Sequence, residues 1–208
     1  MSFDERKLLF FTASGILMLL VVSPALNRFF IFPRTEFFTE LWLLGPNQKA
    51  EGYPFNVTVN EKYEVFLGMA NHLGYAAYYN VAVKFRNETQ PYPDNLNYTP
   101  SSLLLSNIYA FVLDKGIWEL PLRFSFSYTY NETLSQVKFH TMQLNDAVLG
   151  MENYVLFWNS ERKGFFGNLF FELWIYNTTA RGFLYHGRFV SLWFNLTSTK
   201  VGMINGYS

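Results

Sequence analysis

The chain has 208 residues, 16 Lys+Arg against 16 Asp+Glu, a formal charge of zero and no cysteine. The even charge argues against nucleic-acid binding and against an acidic solvating tail, and the missing cysteine excludes disulfides, thiolate chemistry and Cys-ligated metal. Charged residues reach only 15% while aromatics reach 20%, with 23 Phe and 14 Tyr, which excludes a disordered chain and points to a membrane segment, an aromatic-rich core, or both.

Residues 1–7 are polar and carry Arg6 and Lys7; residues 8–26 are 19 residues without a charge. As a helix this run spans about 28 Å, close to the hydrocarbon thickness of a bilayer. Phe29, Phe30 and Phe32 with Arg28 follow, as an interfacial aromatic belt would. The expectation is a cytoplasmic tail (1–7), a transmembrane helix (8–26) and a membrane-proximal linker (27–37). Ser23-Pro24-Ala25 also resembles a small-x-small cleavage site, so a removed signal peptide is the rival reading. Both readings put the rest of the chain outside the cell.

From residue 38 the apolar period changes to two, the mark of half-buried strands. The alternating runs are Phe38–Leu44, 55–59, 63–69, 79–85, 108–113, 118–130, Gln136–Leu144, 154–158, 165–176 and 182–196. Between them lie turn signals at Gly45-Pro46-Asn47, Asn71-His72-Leu73-Gly74, Asp114-Lys115-Gly116, Glu161-Arg162-Lys163-Gly164 and 179–181. Residues 87–102, with Pro91, Pro93 and Pro100, read as a long loop. Eight to ten strands at short spacing, with no strong amphipathic helix, predict an all-β, antiparallel β-sandwich over 38–200 and a short tail over 201–208.

Six Asn-x-Thr triplets follow the apolar run, at Asn56, Asn87, Asn97, Asn131, Asn177 and Asn195. Chance predicts roughly two Asn-x-Ser/Thr triplets in such a chain. Each is an N-glycosylation acceptor if it faces an external compartment. Those at Asn56 and Asn195 sit on the polar face of alternating strands, as real acceptors would. Asn and Thr also suit turns and exposed strands, so the triplets have a purely structural reading as well.

The stretch 38–87 carries a resemblance. Its Thr39-Glu40, Leu44-Gly45-Pro46, Ala50-Glu51, Tyr53-Pro54, Asn56-Val57-Thr58-Val59 and Asn71-His72 are similar to the archaeal membrane-protein family known as domain of unknown function 1616. The similarity continues through 170–177 to the last strand. This chain has Asn60-Glu61 where the family pattern has Gly-Glu, and Asn tolerates the left-handed backbone such a turn needs. The resemblance implies an archaeal envelope protein with an Ig-like extracellular domain, and no activity.

No phosphate loop, nucleophile elbow or zinc-binding His pair is present. His72, His140 and His186 lie at no ligand spacing and read as satisfied or surface histidines, His72 closing a turn. Of Trp42, Trp118, Trp158, Trp174 and Trp193, the pattern puts Trp174 and Trp193 in the core and leaves Trp158 open to a sugar-stacking role. No catalytic, cofactor or metal residues are assigned. The expected function is structural or protein-interacting, in an accessory subunit of a membrane complex. Its partners would be the bilayer, N-linked glycans and an envelope protein. The alternatives are an extracellular ligand- or carbohydrate-binding module and, last, an enzyme. An exposed cluster of Trp and Tyr on one face would favour the binding module.

Overall fold

The computed structural model describes residues 3–29, 36–94, 96–99, 102–152 and 154–197, without the side chains of 22–29. The tail over 201–208 and linker residues 30–35, with Phe30, Phe32 and Arg34, lie outside the described residues, as do the side chains of Arg28, Phe29 and the Ser23-Pro24-Ala25 triplet. The chain forms two compact units that divide between Glu36 and Phe37.

The first unit holds one helix, α1 (Phe3–Phe29). Its apolar side chains sit on every face and are exposed, from Leu8 at 69% to Val21 at 70%. The expected span over 8–26 is helical throughout. Among the described residues, however, no helix is long and apolar enough to cross a membrane. The described side chains of α1 run from Phe3 to Val21 and include the charged turn Asp4, Glu5, Arg6 and Lys7.

The second unit holds β1 (Phe38–Leu44), β2 (Asn56–Thr58), β3 (Tyr63–His72), β4 (Ala77–Asn87), β5 (Leu103–Val112) and β6 (Ile117–Asn131). It continues with β7 (Gln136–Leu144), β8 (Ala147–Gly150), β9 (Val155–Phe157), β10 (Phe166–Asn177) and β11 (Gly182–Thr197). One sheet runs β1-β3-β6-β7-β8, with β9 also on β7; the other runs β2-β11-β10-β4-β5. The named pairs are antiparallel except β2 with β11, which is parallel. This is an Ig-like sandwich, with the first edge shared between the sheets by β1 and β2.

The core is aromatic. Phe85 and Phe194 from one sheet meet Phe124, Phe126 and Phe139 from the other, with ring centroids such as Phe85–Phe139 at 5.2 Å and Phe126–Phe194 at 5.1 Å. All five are at most 1% exposed. Each buried phenylalanine contributes about 1.5–3 kcal/mol relative to exposure, so the core needs no disulfide. Inward residues follow the expected pleat, as Phe124, Phe126 and Tyr128 do on β6.

Several expectations need correction. Asp114-Lys115-Gly116 does not close a hairpin; β5 and β6 belong to different sheets, and the turn carries the chain across the sandwich. Asn71-His72 does not break β3, which runs through His72. β5 begins at Leu103 rather than 108, and behind the two-residue turn Asn145-Asp146 lies the short β8, a strand absent from the alternation pattern. A period-two pattern identifies a face; it does not identify the neighbouring strand.

Candidate functional site

The outer face of the β2-β11-β10-β4-β5 sheet gathers most of the unusual chemistry. The register fixes it row by row. One row is Tyr109, Asn80, Trp174 and Tyr185; the next is Asn107, Ala82, Glu172 and Phe189; then come Leu104, Lys84, Phe170 and Ser191, and finally Arg86, Asn168 and Trp193.

Residues 88–94 and 96–99 cover the last rows. Lys84 and Glu172 form an ion pair of 2.8 Å with side chains 8% and 0% exposed. Lys84 Nζ also donates to the Thr99 carbonyl at 2.8 Å. Glu172 Oε1 accepts from Thr99 N at 2.8 Å and Thr99 Oγ1 at 2.6 Å. Arg86, 2% exposed, donates to Asn168 Oδ1 at 3.2 Å and to the Gln90 carbonyl, and stacks 3.6 Å from the Tyr92 ring. Buried charge is tolerated only when paired and hydrogen-bonded. Besides one another and Asn168, these charges bond Gln90 and Thr99 of the covering loop, and so fasten that loop to the sheet.

Beyond the loop the face opens. Tyr78, Tyr109, Tyr176 and Phe183 form an aromatic cluster with centroid spacings of 5.3 Å (Tyr78–Phe183), 5.5 Å (Tyr176–Phe183) and 5.7 Å (Tyr109–Phe183). The three tyrosines are 40–53% exposed, and Phe111 beside them is 65% exposed. Between the open and covered halves, Tyr98 lies 5.0 Å from Trp174. The Tyr185 hydroxyl is pushed up to about 12 by burial, then by the charges of Glu172 and Asp94.

Trp174 and Trp193 are therefore on this outer face, partly buried, rather than in the core; Trp193 Nε1 donates to Tyr92 OH. β10 is buried on both faces because the loop covers one, and that erased the alternation in its sequence. Trp158 is 47% exposed, as read. Trp42 lies against Gly68, where a Cβ would stand 2.3 Å from the indole. Trp118 packs partly buried against the core.

The histidines are all satisfied. His72 stacks on Phe38 at 4.6 Å and lies 3.4 Å from Glu40. His140 meets Thr129 at 3.2 Å. His186 Nε2 meets Thr39 Oγ1 at 2.9 Å, Thr39 meets Tyr79 OH at 3.1 Å, and Tyr79 donates to Asn71 Oδ1 at 3.1 Å. Asn71 Nδ2 donates to the carbonyls of Tyr75 and Val112, which fixes its amide orientation. The chain of donors therefore runs from His186 to Asn71 and requires a proton on Nε2 of His186. Burial, then the Arg188 charge, holds the His186 pKa below its usual value. Among the described residues no group of His, Asp and Glu could hold a metal ion.

The residues that carry the family resemblance serve this architecture. Gly45 is closed over by the backbone, with the Glu51 carbonyl 1.9 Å from where a Cβ would stand, and Tyr53 OH donates to the Leu43 carbonyl at 2.7 Å. Asn71 N and O bond Gly116 O and Lys115 N at 3.0 and 2.7 Å, so one buried asparagine ties the β3–β4 crossover to the β5–β6 crossover. Asn60 takes φ of 62°, as the turn requires.

Five of the six triplets fall into two groups, and Asn56 accepts at Oδ1 from its neighbour Asn195. Asn87, Asn131 and Asn177 end strands, and Oδ1 of each caps the following turn, accepting from Thr89 N, Leu134 N and Ala180 N. Asn97 and Asn195 instead commit the amide nitrogen that a glycan would take, to Asp94 Oδ2 at 3.0 Å and Asn56 Oδ1 at 3.3 Å. Asn56 and Asn195 are register partners in the parallel pair, as are Thr58 and Thr197. Their placement on a polar face thus has a pairing reason of its own.

The family model described as "Domain of unknown function (DUF1616)" matches residues 33–138. No curated protein matches the chain. Among solved structures, the CARDB domain of the PF1109 protein from Pyrococcus furiosus, in complex with di-metal ions, is similar at TM-score 0.40 and 10% identity, over 78% of this chain and 90% of that one. A β-glucosidase from Listeria innocua in complex with isofagomine is similar at TM-score 0.36 and 9% identity, over 77% of this chain but 16% of the enzyme. The PapD-like domain 7 of human CEP192 is similar at TM-score 0.29 and 10% identity, over 81% and 92%. The sandwich assignment rests on the strand pairing itself.

Proposed function

The chain belongs to the DUF1616 family, and from that premise we propose a membrane-anchored, N-glycosylated Ig-like module outside the cell, at an archaeal envelope. Its role is structural or protein-interacting, as an accessory subunit of a membrane complex, and we assign it no catalysis. One observation carries this reading. Between Leu8 and Val21 the apolar side chains of α1 lie on every face and are exposed, which is unfavourable in water and favourable in lipid. The uncharged run over 8–26 and the sequon excess downstream support the same topology. A second reading, an extracellular ligand- or carbohydrate-binding module, is favoured by the exposed tyrosine cluster.

The test is intact-protein and glycopeptide mass spectrometry on the native protein from washed membranes. Retained residues 8–26 with glycans downstream are expected, with Asn131 occupied more fully than Asn195, whose amide is engaged. Unmodified sites throughout would remove the topological argument. A chain starting near Leu26 would replace the anchor with a signal peptide.

A further inference from the structure

Between the open and covered halves of the outer face lies a cleft of about 450 Å³, within the size range of small-ligand sites. Its cause is Ala82, a short side chain between Asn107 and Glu172 in its row. Trp174, Tyr98 and Phe183 line it with rings, and Asn80, Asn107 and Ser102 add polar groups. Three buried polar atoms in this lining have no hydrogen-bond partner among the described residues: Asn80 Oδ1, Ser102 Oγ and Trp174 Nε1. Ser102 is only 7% exposed. Orphaned polar atoms of this kind are rare in folded proteins, and each calls for a partner.

We propose that this cleft binds a neutral saccharide, with one ring against Trp174 and Tyr98 and the next over Tyr109 and Phe183. The donor and acceptor sets select the class. Asn80 Oδ1 only accepts, Trp174 Nε1 only donates and Ser102 Oγ does either. A hydroxyl can satisfy an acceptor and a donor together, whereas an ionised carboxylate or phosphate only accepts. The one cation in the lining, Lys84, is committed to Glu172 and the Thr99 carbonyl, so no charge is left for an anion. The flat, half-exposed rings beyond the cleft suit the C–H faces of further sugar units. This site requires neither the anchor nor the glycans of the preceding proposal.

The experiment uses the full-length chain, made in a host that adds no N-glycans and kept in a sugar-free detergent. Cellotetraose and an α-mannotetraose are titrated calorimetrically, with a hexuronic acid tetramer as the charged comparison. Saturable binding of at least one neutral probe is expected, weakened about tenfold by Tyr109→Ala and by Asn107→Ala. Both residues are exposed, so both variants should fold. No saturable neutral binding, binding unchanged in both variants, or preference for the hexuronate would each overturn the proposal.

Discussion

On the outer face of the β2-β11-β10-β4-β5 sheet, the half under the loop that holds Gln90 and Thr99 buries Lys84, Arg86 and Glu172, whereas the half beyond it leaves Tyr78, Tyr109 and Phe111 in solvent. Elementary burial preferences would assign these the other way round. The strands are the same in both halves, so the difference lies in the cover. Where a loop supplies backbone carbonyls and amides, charged side chains can be buried as clamps. Where it does not, rings stay available for something else to cover.

The sharpest way to break this comparison is to leave one buried charge alone. Lys84→Met should cost about 3–5 kcal/mol in denaturant unfolding, because Glu172 is stranded. Lys84→Met with Glu172→Leu should return to, or exceed, the wild-type midpoint. A silent single variant would mean that the ion pair does not hold the loop. Next, the polar chain inside the sandwich should behave like the covered half. Tyr79→Phe removes the link between Thr39 and Asn71 and should cost about 1–3 kcal/mol by the same measurement.

The third effect is a pH dependence. Burial and the Arg188 charge hold His186 below the ordinary histidine pKa of 6.5, so the unfolded chain takes up the proton first. Its contribution to stability is whole above 6.5 and is lost as pH falls through the lower folded value. Unfolding midpoints of wild type and His186→Gln, compared across that window, should show the steeper loss in wild type. The smallest effect belongs to the open half. Tyr109→Ser should move stability by about 0.5 kcal/mol or less, and a larger loss would show that the exposed rings are needed for the fold.

Much of the sandwich was legible. β1 and β7 keep the bounds read from alternation, and the loop before β5 ends where proline and serine said it should. What could not be read is pairing between distant segments. Asp114-Lys115-Gly116 has hairpin chemistry yet joins two sheets, and nothing local distinguishes the cases. The clamps and the cleft were illegible for the same reason: Lys84 and Glu172 look like ordinary solvated charges until a loop covers them. Alternation within an apolar strand puts Trp174 in the core, yet it shares its face with Asn168 and Glu172, and that face points outward.

The order of strands across the second sheet also constrains how the molecule forms. Its central strands β10 and β11 come last in the chain, and Asn56 must wait for Asn195. The first sheet can pair from β1 to β8 while the inner face of β4, with Tyr79, Val81, Val83 and Phe85, stays bare. Contacts of such sequence separation form slowly, and exposed apolar strands are prone to misassociation meanwhile. Folding of this module therefore completes from its C-terminal end, and a chain interrupted before β10 would present half a sandwich.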